Sequence, residues 1–290
     1  MITRDVDASD VADLAVSPVR VALAANGEDG VFLTPVRVTL EDPADAASSP
    51  RIVTVPQAHP DLTDRNVVVI ADDGPQWFRL RSLTVRGVAK AIGGGSYRIV
   101  PERTVAWDYG SLREVPTPPG PPGSATPPQV SLATENAGFQ PLRSANLEEA
   151  LGNSRVMILA SRSQRGTPFA VPLWFVFYRG RIYTTTSASS WTARNVAASP
   201  WVAFLVGGES PDQANRLVVR GYAQAIRGMP PPAVTARIAW RYYLQPRFAV
   251  VELRHLRLWA LRVRYYGQSQ AAHIVITPQT MAECAIATGF

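Results

Sequence analysis

The apolar residues in the second half of the chain fall in short runs that predict β-strands. Each run is rich in β-branched or aromatic residues, is short for a helix, and is bounded by turn residues. One run contains Pro172, which indicates an edge strand or a bulge because proline cannot donate to a sheet ladder. Arg179 and Gly180 turn that run back into the next one as a hairpin. The predicted strands are residues 155–160, 169–178, 181–186, 201–208, 217–226 and 247–261.

Two helices are predicted between these strands. The sequence SSWTARNVAA, residues 189–198, follows a hydroxyl-rich strand end and predicts a short helix. A second helix is predicted after a run of prolines, where Val234, Ile238 and Tyr242 recur at helical spacing. The first half of the chain lacks this second helix, because GGGS leads there straight into the next apolar segment. The sum is a small antiparallel barrel with peripheral helices, made twice.

The two halves of the chain resemble each other in sequence. Arg86 in SLTVRGVAKAI matches Arg220 in RLVVRGYAQAI, and two further matches precede this one in the same order. The offsets differ by five residues, and the segment AASPW, residues 197–201, is present only in the second half and accounts for the difference. Ordered matches with one consistent insertion predict a duplicated fold. The matched segments are 51–55 with 181–185, 63–67 with 192–196, and 82–92 with 216–226.

A proline-rich segment, PTPPGPPGSATPP, separates the halves. It cannot enter a helix or a central strand, because proline fixes φ and removes amide donors. It therefore predicts a semi-rigid linker between two domains. The expected organisation is a degenerate N-terminal barrel at 10–115, the linker at 116–128, a C-terminal barrel at 129–268, and a tail at 269–290 in which HIVIT could add a strand.

Composition narrows the classes of function. A hydrophobic fraction of 46% with 18% charged residues indicates a globular protein with a substantial core. The net charge of +6, with Arg in excess of Lys, favours anionic partners such as phosphates and acidic coenzymes, or simply a basic surface. The single cysteine, Cys284, excludes a disulfide framework within the chain and suits a cytoplasmic location. No apolar run reaches the roughly 18 residues of a membrane helix, and His59, His255 and His273 lack metal-ligand spacing.

The order and spacing of the segments between residues 145 and 259 resemble those of the flavin-binding split-barrel family. The segments that carry the resemblance are RVMILAS, GTPFAVPLWFVFYRGRIYTTTSASSWTARNVAASPWVAFLV and RLVVRGYAQAI. This family includes the pyridoxamine 5′-phosphate oxidases and the reductases that use the deazaflavin coenzyme F420. The resemblance implies a mainly β fold with peripheral helices, built as two tandem split β-barrels of which the first is a degenerate copy.

In such families the junction between a strand and the following helix holds the cofactor phosphate, and the second strand lies against the flavin ring. A helix start offers unpaired amides and partial positive charge, and hydroxyls can donate to phosphate oxygens. The resemblance therefore implies FMN or coenzyme F420 as the cofactor. The implied cofactor-binding residues are Thr185, Thr186, Ser187, Ser190, Trp191 and Thr192 at the junction, Pro172, Leu173 and Trp174 on the strand, and Arg194 and Arg220 as sources of charge; no catalytic residue is assigned.

Several candidates also have a purely structural explanation. Ser190 could simply cap the helix, and Trp174 could belong to the barrel core. Arg194 could decorate the helix surface, and Arg220 could pair on the sheet. Many flavin-binding members carry a lysine two positions after the helix serine, where this chain has Thr192. The loss of a cation there could weaken FMN binding or reflect another coenzyme.

The first half departs further from the family pattern. Its counterpart of the junction, residues 54–67, has few hydroxyls and carries Asp61 and Asp64, whose carboxylates would repel phosphate. The first barrel is therefore expected to be structural. In single-barrel relatives the cofactor lies between two subunits, so the duplicated chain could form that interface internally as a pseudo-dimer, or could still form a homodimer.

These features together predict an oxidoreductase that binds FMN or F420 and transfers hydride to an unidentified small molecule. The alternative is a non-enzymatic split-barrel module that binds flavin, haem or another anionic ligand. Nucleic acid is not expected as a partner, because strand-period alternation explains most of the Arg- and Tyr-rich segment 240–266 as one solvated face. The chain has no P-loop, no G-x-G-x-x-G opening a helix and no G-x-S-x-G elbow.

Overall fold

A computed structural model gives the fold of most of the chain. The predicted linker 116–128 and the predicted strand 247–261 lie outside the residues that it describes, as do His59 and His255. The described residues are 5–28, 30–42, 45, 49–55, 60–74, 80–108, 138–208, 215–244 and 271–285.

The first half forms a curled antiparallel sheet of eight strands. Its strands are β1 (Asp5–Val6), β2 (Arg20–Gly27), β3 (Gly30–Pro35), β4 (Arg37–Leu40), β5 (Arg51–Thr54), β6 (Asn66–Asp72), β7 (Arg81–Gly93) and β8 (Ser96–Asp108). A 3-10 turn, Ala8–Val11, and a short helix α1, Asp13–Val16, pack their apolar residues against the same core. The strand order is β3-β2-β6-β7-β8-β5-β4, with β1 paired to β8.

The second half forms a seven-stranded antiparallel sheet with three helices. Its strands are β9 (Val156–Arg162), β10 (Pro168–Trp174), β11 (Val176–Tyr178), β12 (Arg181–Ser187), β13 (Trp201–Gly207), β14 (Asn215–Arg227) and β15 (Ala271–Ala285). The helices are α2 (Ala145–Asn153), α3 (Trp191–Ala198) and α4 (Pro232–Ile238), and α4 continues into a π-helical turn, Ala239–Tyr243. The strand order is β10-β9-β13-β14-β15-β12-β11.

Apart from β1, each strand of the first sheet has a counterpart in the second. The order β3-β2-β6-β7-β8-β5-β4 becomes β10-β9-β13-β14-β15-β12-β11 when each strand is replaced by its counterpart, so the two sheets have the same topology. The predicted fold class, mainly β with two tandem split barrels, is confirmed. The duplication was visible in the sequence because each copy keeps the same ladder and therefore the same alternation of core and surface positions.

The strand that completes the second barrel comes from the C-terminal segment. In the first half, β8 follows β7 through a turn at Gly94 and Gly95, whose φ values of 60° and 73° favour glycine. In the second half, α4 and its π-helical turn intervene before β15. β15 pairs with both β12 and β14, so the segment HIVIT, for which the sequence offered only a tentative strand, forms part of a central strand.

The match between Arg86 and Arg220 is also a match in register. Each arginine immediately precedes the register shift of a β-bulge, whose extra residue is Glu102 in β8 opposite Gly87, and Gln279 in β15 opposite Gly221. A Cβ on Gly87 would lie 2.0 Å from the carbonyl oxygen of Val100, and a Cβ on Gly221 would lie 2.8 Å from a methyl carbon of Ile276. Both bulges therefore require glycine because another strand approaches closely, which explains why RG recurs in the two copies.

The match between TDRNV and TARNV is wrong as a structural equivalence. Val67 lies in β6 opposite Gly87, and the residue in that position of the second barrel is Val202 in β13. Val196, with which the sequence paired Val67, lies instead in α3. The first half passes this region through a turn in its described part, residues 60–65.

The match between RIVTV and RIYTT is displaced by one residue. Counted from the bulges in β8 and β15, Arg51 takes the ladder position of Ile182 and not that of Arg181. A charged side chain therefore replaces an aliphatic one in the first barrel. Arg51 is 2% exposed and donates to the carbonyl of Ser49 at 2.9 Å, and burial lowers the pKa of its guanidinium to about 10.

The two barrels pack against each other through a third core, formed by small and aliphatic side chains on the facing strands. A buried ion pair lies beside it: Arg20 donates to both carboxylate oxygens of Asp72 at 2.8 and 2.7 Å, and both side chains are fully buried. Arg20 also donates to the carbonyl of Val156 in the second barrel at 3.0 Å. The core between the barrels comprises Ala22, Ala24, Val31, Leu33, Val68, Ile70, Ile158, Ala160, Ala170, Ala203 and Leu205.

Candidate functional site

The hydroxyl-rich segment lies where β12 ends and α3 begins, and residues 185–194 are called the junction below. Ser190 is the N-cap of α3, and its Oγ accepts a hydrogen bond from the amide of Ala193 at 3.1 Å. Thr186 donates its hydroxyl to the same oxygen at 2.8 Å. The structural explanation of Ser190 is therefore confirmed, and Thr186 supports the cap.

Other polar groups of the junction lie at or near the surface. The hydroxyls of Ser187 and Ser189 form a hydrogen bond with each other at 2.9 Å, and Thr185 and Ser189 are exposed. The first turn of α3 contains no acidic residue. Because Ser190 takes only the amide of Ala193, the first two amides of the helix retain no intrahelical partner. Free amides at a helix start are donors of the kind that binds anions.

Arg194 is the cation nearest to these donors along the helix. Its guanidinium carbon lies 4.1 Å from the centroid of the Trp191 ring, and that ring is 63% exposed. The Nε atom of Arg194 is buried and has no hydrogen-bond partner among the described residues. Thr192, in contrast, is 6% exposed and belongs to the buried side of α3. Arg194 is therefore better placed than Thr192 to supply the charge that lysine supplies in other members.

Strand β10 forms an edge of the second sheet, and β9 is its ladder partner in the described part of the chain. Pro172 is buried on this strand, where its missing amide costs no ladder hydrogen bond. The side chain of Leu173 lies in the core of the second barrel, which leaves only its backbone for a ligand. The half-buried Trp174 stacks on Tyr242, with ring centroids 5.7 Å apart and an interplanar angle of 20°.

Tyr242 fixes this end of β10. Its hydroxyl oxygen lies 2.7 and 2.6 Å from the carbonyl oxygens of Arg155 and Phe175, which share its single proton, and the amide of Phe175 donates to it at 3.0 Å. Burial raises the pKa of Tyr242 to about 12, so the phenol stays protonated and able to donate. The helical spacing of Tyr242 was evident in the sequence, but no local signal connected it to the strand containing Trp174.

The structure brings some of the candidates together and separates others. The end of β10 approaches β12, which places Trp174 near the junction. Arg220 lies elsewhere: Thr186 pairs with Ala272 on β15, whereas Arg220 pairs with Thr280, eight residues further along that strand. At about 3.3 Å per residue this is a separation of about 26 Å. The guanidinium of Arg220 lies instead against the ring of Trp201, 5.9 Å from its centroid.

In the first barrel, the carboxylates of the segment that corresponds to the junction are engaged with neighbouring residues of the same barrel. Asp61 accepts hydrogen bonds from the amide and the hydroxyl of Thr63, at 2.9 and 2.7 Å. Asp64 has a positive φ of 58° and forms an ion pair with Lys90. The two carboxylates thus stabilise a turn where the second barrel has a helix start, which fits the expectation that phosphate is repelled there.

Other chemistry is limited in the described part of the chain. It contains no group of three or more His, Cys, Asp or Glu side chains that could hold a metal ion. His273 is buried on β15, and its Nδ1 lies 3.0 Å from the carbonyl oxygen of Gly228. No helix among the described residues is long and apolar enough to cross a membrane.

Comparisons with known proteins agree with this architecture. Residues 144–269 match the family model described as pyridoxamine 5′-phosphate oxidase. This region of the chain is therefore similar to the pyridoxamine 5′-phosphate oxidase-like split barrels, in line with the sequence resemblance. A comparison with curated proteins gives no match.

Three solved structures with similar folds each cover less than half of this chain. An F420 reductase is 23% identical and covers 47% of this chain and 94% of its own, with a TM-score of 0.34. An FAD-binding protein from Mycobacterium smegmatis is 16% identical and covers 37% and 97%, with a TM-score of 0.31. The haem storage protein HutZ from Vibrio cholerae is 14% identical and covers 48% and 92%, with a TM-score of 0.35. Similarities this low do not assign a ligand.

Proposed function

We propose that the second barrel binds a flavin-type coenzyme, FMN or F420, and serves in hydride transfer to a small molecule. The observation that carries this proposal is the junction: helix amides without an intrahelical partner, the exposed hydroxyls of Thr185 and Ser189 and the unsatisfied Nε of Arg194 lie within ten consecutive residues, in the region that matches the oxidase family. A phosphate group would satisfy all three kinds of donor.

The residues of this chain would bind and orient the coenzyme. The amides of Trp191 and Thr192, together with the hydroxyls of Thr185 and Ser187, would donate to the phosphate. Arg194 would neutralise it, with its guanidinium held by the ring of Trp191. Stacking reduces the number of orientations that the guanidinium samples, so less conformational entropy is lost when the phosphate binds.

Edge strand β10 would supply the surface for the ring. An edge strand presents unpaired backbone groups that can bond to the polar atoms of a planar ligand. Trp174, fixed by Tyr242, would shield the end of the ring from water. When bound, the flavin or deazaflavin supplies the capacity to accept and release hydride. The protein contributes position and a dry environment.

Absorption spectroscopy and coenzyme titration test this proposal. The purified full-length chain is titrated with FMN, followed by flavin fluorescence, and separately with F420, followed by its quenching. We expect micromolar or tighter binding of one of them. Arg194→Met should weaken that binding about tenfold or more, because it removes a charge-assisted hydrogen bond. Arg143→Met is the control, since Arg143 is 72% exposed and lies far along the chain from the junction.

Failure of both coenzymes to bind at micromolar concentration would remove the proposal. Equal weakening by the two arginine variants would also contradict it, because a general loss of positive charge would then explain the effect. The measurement distinguishes FMN from F420 directly, since each is titrated alone.

A non-enzymatic binding module is the second candidate, and the engagement of Ser190 and Thr186 within the helix cap favours it. Because these two hydroxyls are engaged in the cap, fewer donors are left for a phosphate. A site without the lysine would therefore bind phosphate more weakly than one that contains it. Such a module would bind a flavin, haem or another anionic ligand without turnover. Steady oxidation of a reduced coenzyme in the presence of an electron acceptor would decide for the enzyme.

A further inference from the structure

The duplication gives each barrel an equivalent set of side chains that face the other barrel. These positions alternate along β6 and β7 in the first barrel and along β13 and β14 in the second. Differences between equivalent positions therefore show how the two faces have diverged. The registers of the two sheets show which positions correspond between the barrels. Asn66 corresponds to Trp201, Val88 to Tyr222, Arg86 to Arg220, and Arg103 to Thr280.

The face of the second barrel is filled by aromatic rings. Trp201 and Tyr222 meet edge to face, with centroids 5.7 Å apart, and Phe139 stacks on Tyr222 at 4.3 Å. Phe139 also meets Trp201 edge to face at 5.7 Å. Trp201 reaches the first barrel, because a Cβ on Gly30 would lie only 3.1 Å from the Cβ of Trp201. We call these three rings the aromatic plug.

Arg86 occupies the position of the first barrel that corresponds to Arg220 of the second, and Arg220 lies beside the plug. The guanidinium of Arg86 lies 5.3 Å from the ring centroid of Phe169, on β10 of the second barrel. Its Nε is buried and has no hydrogen-bond partner among the described residues. Burial, and then the charge of Arg103 directly opposite, lower the pKa of Arg86. In the described part of the chain no carboxylate forms an ion pair with Arg86 or Arg103.

An unpaired acceptor lies on the same face. Asn26 follows Ala24 by two residues on β2, so its side chain points to the same side as that core residue between the barrels. Its Nδ2 donates to the carbonyl of Gly166 in the second barrel at 2.6 Å, whereas its Oδ1 is buried without a partner. Buried polar groups in folded proteins are nearly always paired. A buried donor and a buried acceptor left open between the barrels therefore indicate a polar ligand.

We propose that the first barrel completes the coenzyme site of the second through Arg86 and Asn26, and that the aromatic plug closes the repeat-related site, so that each chain binds one coenzyme. This inference rests on the proposed function. The pyrimidine edge of a flavin or deazaflavin ring carries both carbonyl oxygens and an N–H group. It can thus accept from Arg86 and donate to Asn26, which are the two interactions that the protein leaves unmade.

The position of this pair suits the ring of the same ligand. Phe169 pairs with Ser161 in the sheet, and the Oγ of Ser161 accepts a hydrogen bond at 3.3 Å from the Nδ2 of Asn195, the residue that follows Arg194 in α3. Phe169 also lies beside Arg86 of the first barrel. A coenzyme with its phosphate at the junction and its ring beside Phe169 would therefore engage both barrels.

Calorimetric titration of the full-length chain with FMN and with F420 tests the inference. We expect one coenzyme per chain, and a dissociation constant raised about tenfold or more by Arg86→Met. The matched control is Arg220→Met, the repeat-related arginine beside the plug, for which we expect less than a twofold change. Arg86→Lys should recover part of the affinity, because it restores the charge without the planar fork. Circular dichroism of each variant verifies that it is folded.

The outcomes separate this inference from the proposed function. If the wild-type chain binds a coenzyme but Arg86→Met and Arg220→Met weaken it equally, or not at all, the role of Arg86 is refuted and the proposed function stands. Two coenzymes per wild-type chain would refute the role of the plug. If the wild-type chain binds neither coenzyme, both proposals fall.

Discussion

Removing the carboxylate of Asp72 should strongly destabilise the protein. Arg20 and Asp72 are both fully buried, joined by two hydrogen bonds of 2.8 and 2.7 Å, and Asp72 also accepts from the amide of Gly74 at 3.0 Å. Asp72→Asn removes the counter-charge that this carboxylate gives to the buried guanidinium of Arg20. Breaking a buried pair in this way costs about 3–5 kcal/mol of unfolding free energy. Because Arg20 also bonds to Val156, the loss should loosen the contact between the barrels.

Equilibrium unfolding in urea, followed by tryptophan fluorescence, measures this cost. Asp13→Asn is the control, since Asp13 forms a similar two-pronged pair with Arg81 but is 59% exposed, and should lose less than about 1 kcal/mol. The double variant Arg20→Met/Asp72→Leu should recover most of the loss, because it leaves no unpaired buried charge. Equal effects of Asp72→Asn and Asp13→Asn would show that burial of the Arg20 pair is not what makes it important.

Two further predictions concern stability. The folded-state pKa of Tyr242 is raised to about 12 from an ordinary value near 10. Its contribution should be complete below pH 10 and should be lost as the pH rises from about 10 through about 12, by about 2–3 kcal/mol in all. Urea unfolding across that pH range measures the slope, and Tyr242→Phe should abolish it; an unchanged slope in that variant would assign it to other groups. Gly87→Ala should cost about 3 kcal/mol and more than Gly221→Ala, because its Cβ meets a backbone carbonyl at 2.0 Å and not a side-chain methyl at 2.8 Å. Thermal unfolding of the two variants measures which one loses more stability. A larger loss in Gly221→Ala would show that the close contact with Val100 is not the reason why position 87 requires glycine.

Part of the fold follows from local pattern, because strands are defined by alternation over a few residues. The strands from β9 to β14 and the helices α3 and α4 fall where their apolar spacing places them. The SLTVRGVAKAI repeat located two structurally equivalent strands and their bulges, because a glycine that must admit a neighbouring backbone leaves a fixed mark in sequence. Local pattern also showed the strand end that runs into the hydroxyl-rich helix start.

Sequence similarity misled where the two copies differ in local structure. The four identical residues of TDRNV and TARNV lie in a turn and strand in one barrel and in a helix in the other. The sequence also contains a match that is correct in structure. Pro101 in β8 and Pro278 in β15 occupy the same ladder position opposite the glycine of each bulge. That correspondence identifies the C-terminal segment as the equivalent of β8, and it could have been found in IVPER and ITPQT.

The sequence by itself determined the type of fold, its duplication and the chemistry available at the strand-helix junction, since each depends on residues close together in the chain. Only the tertiary structure decided which long-range neighbours complete that chemistry. It placed β15 between β12 and β14 across the insertion that contains α4, set Arg220 against Trp201 and away from the junction, and set Arg86 of the first barrel against Phe169 of the second. The physical reason is that strand pairing and barrel packing join residues through hydrogen bonds and buried surface at any separation in sequence, and local periodicity carries no record of the partner.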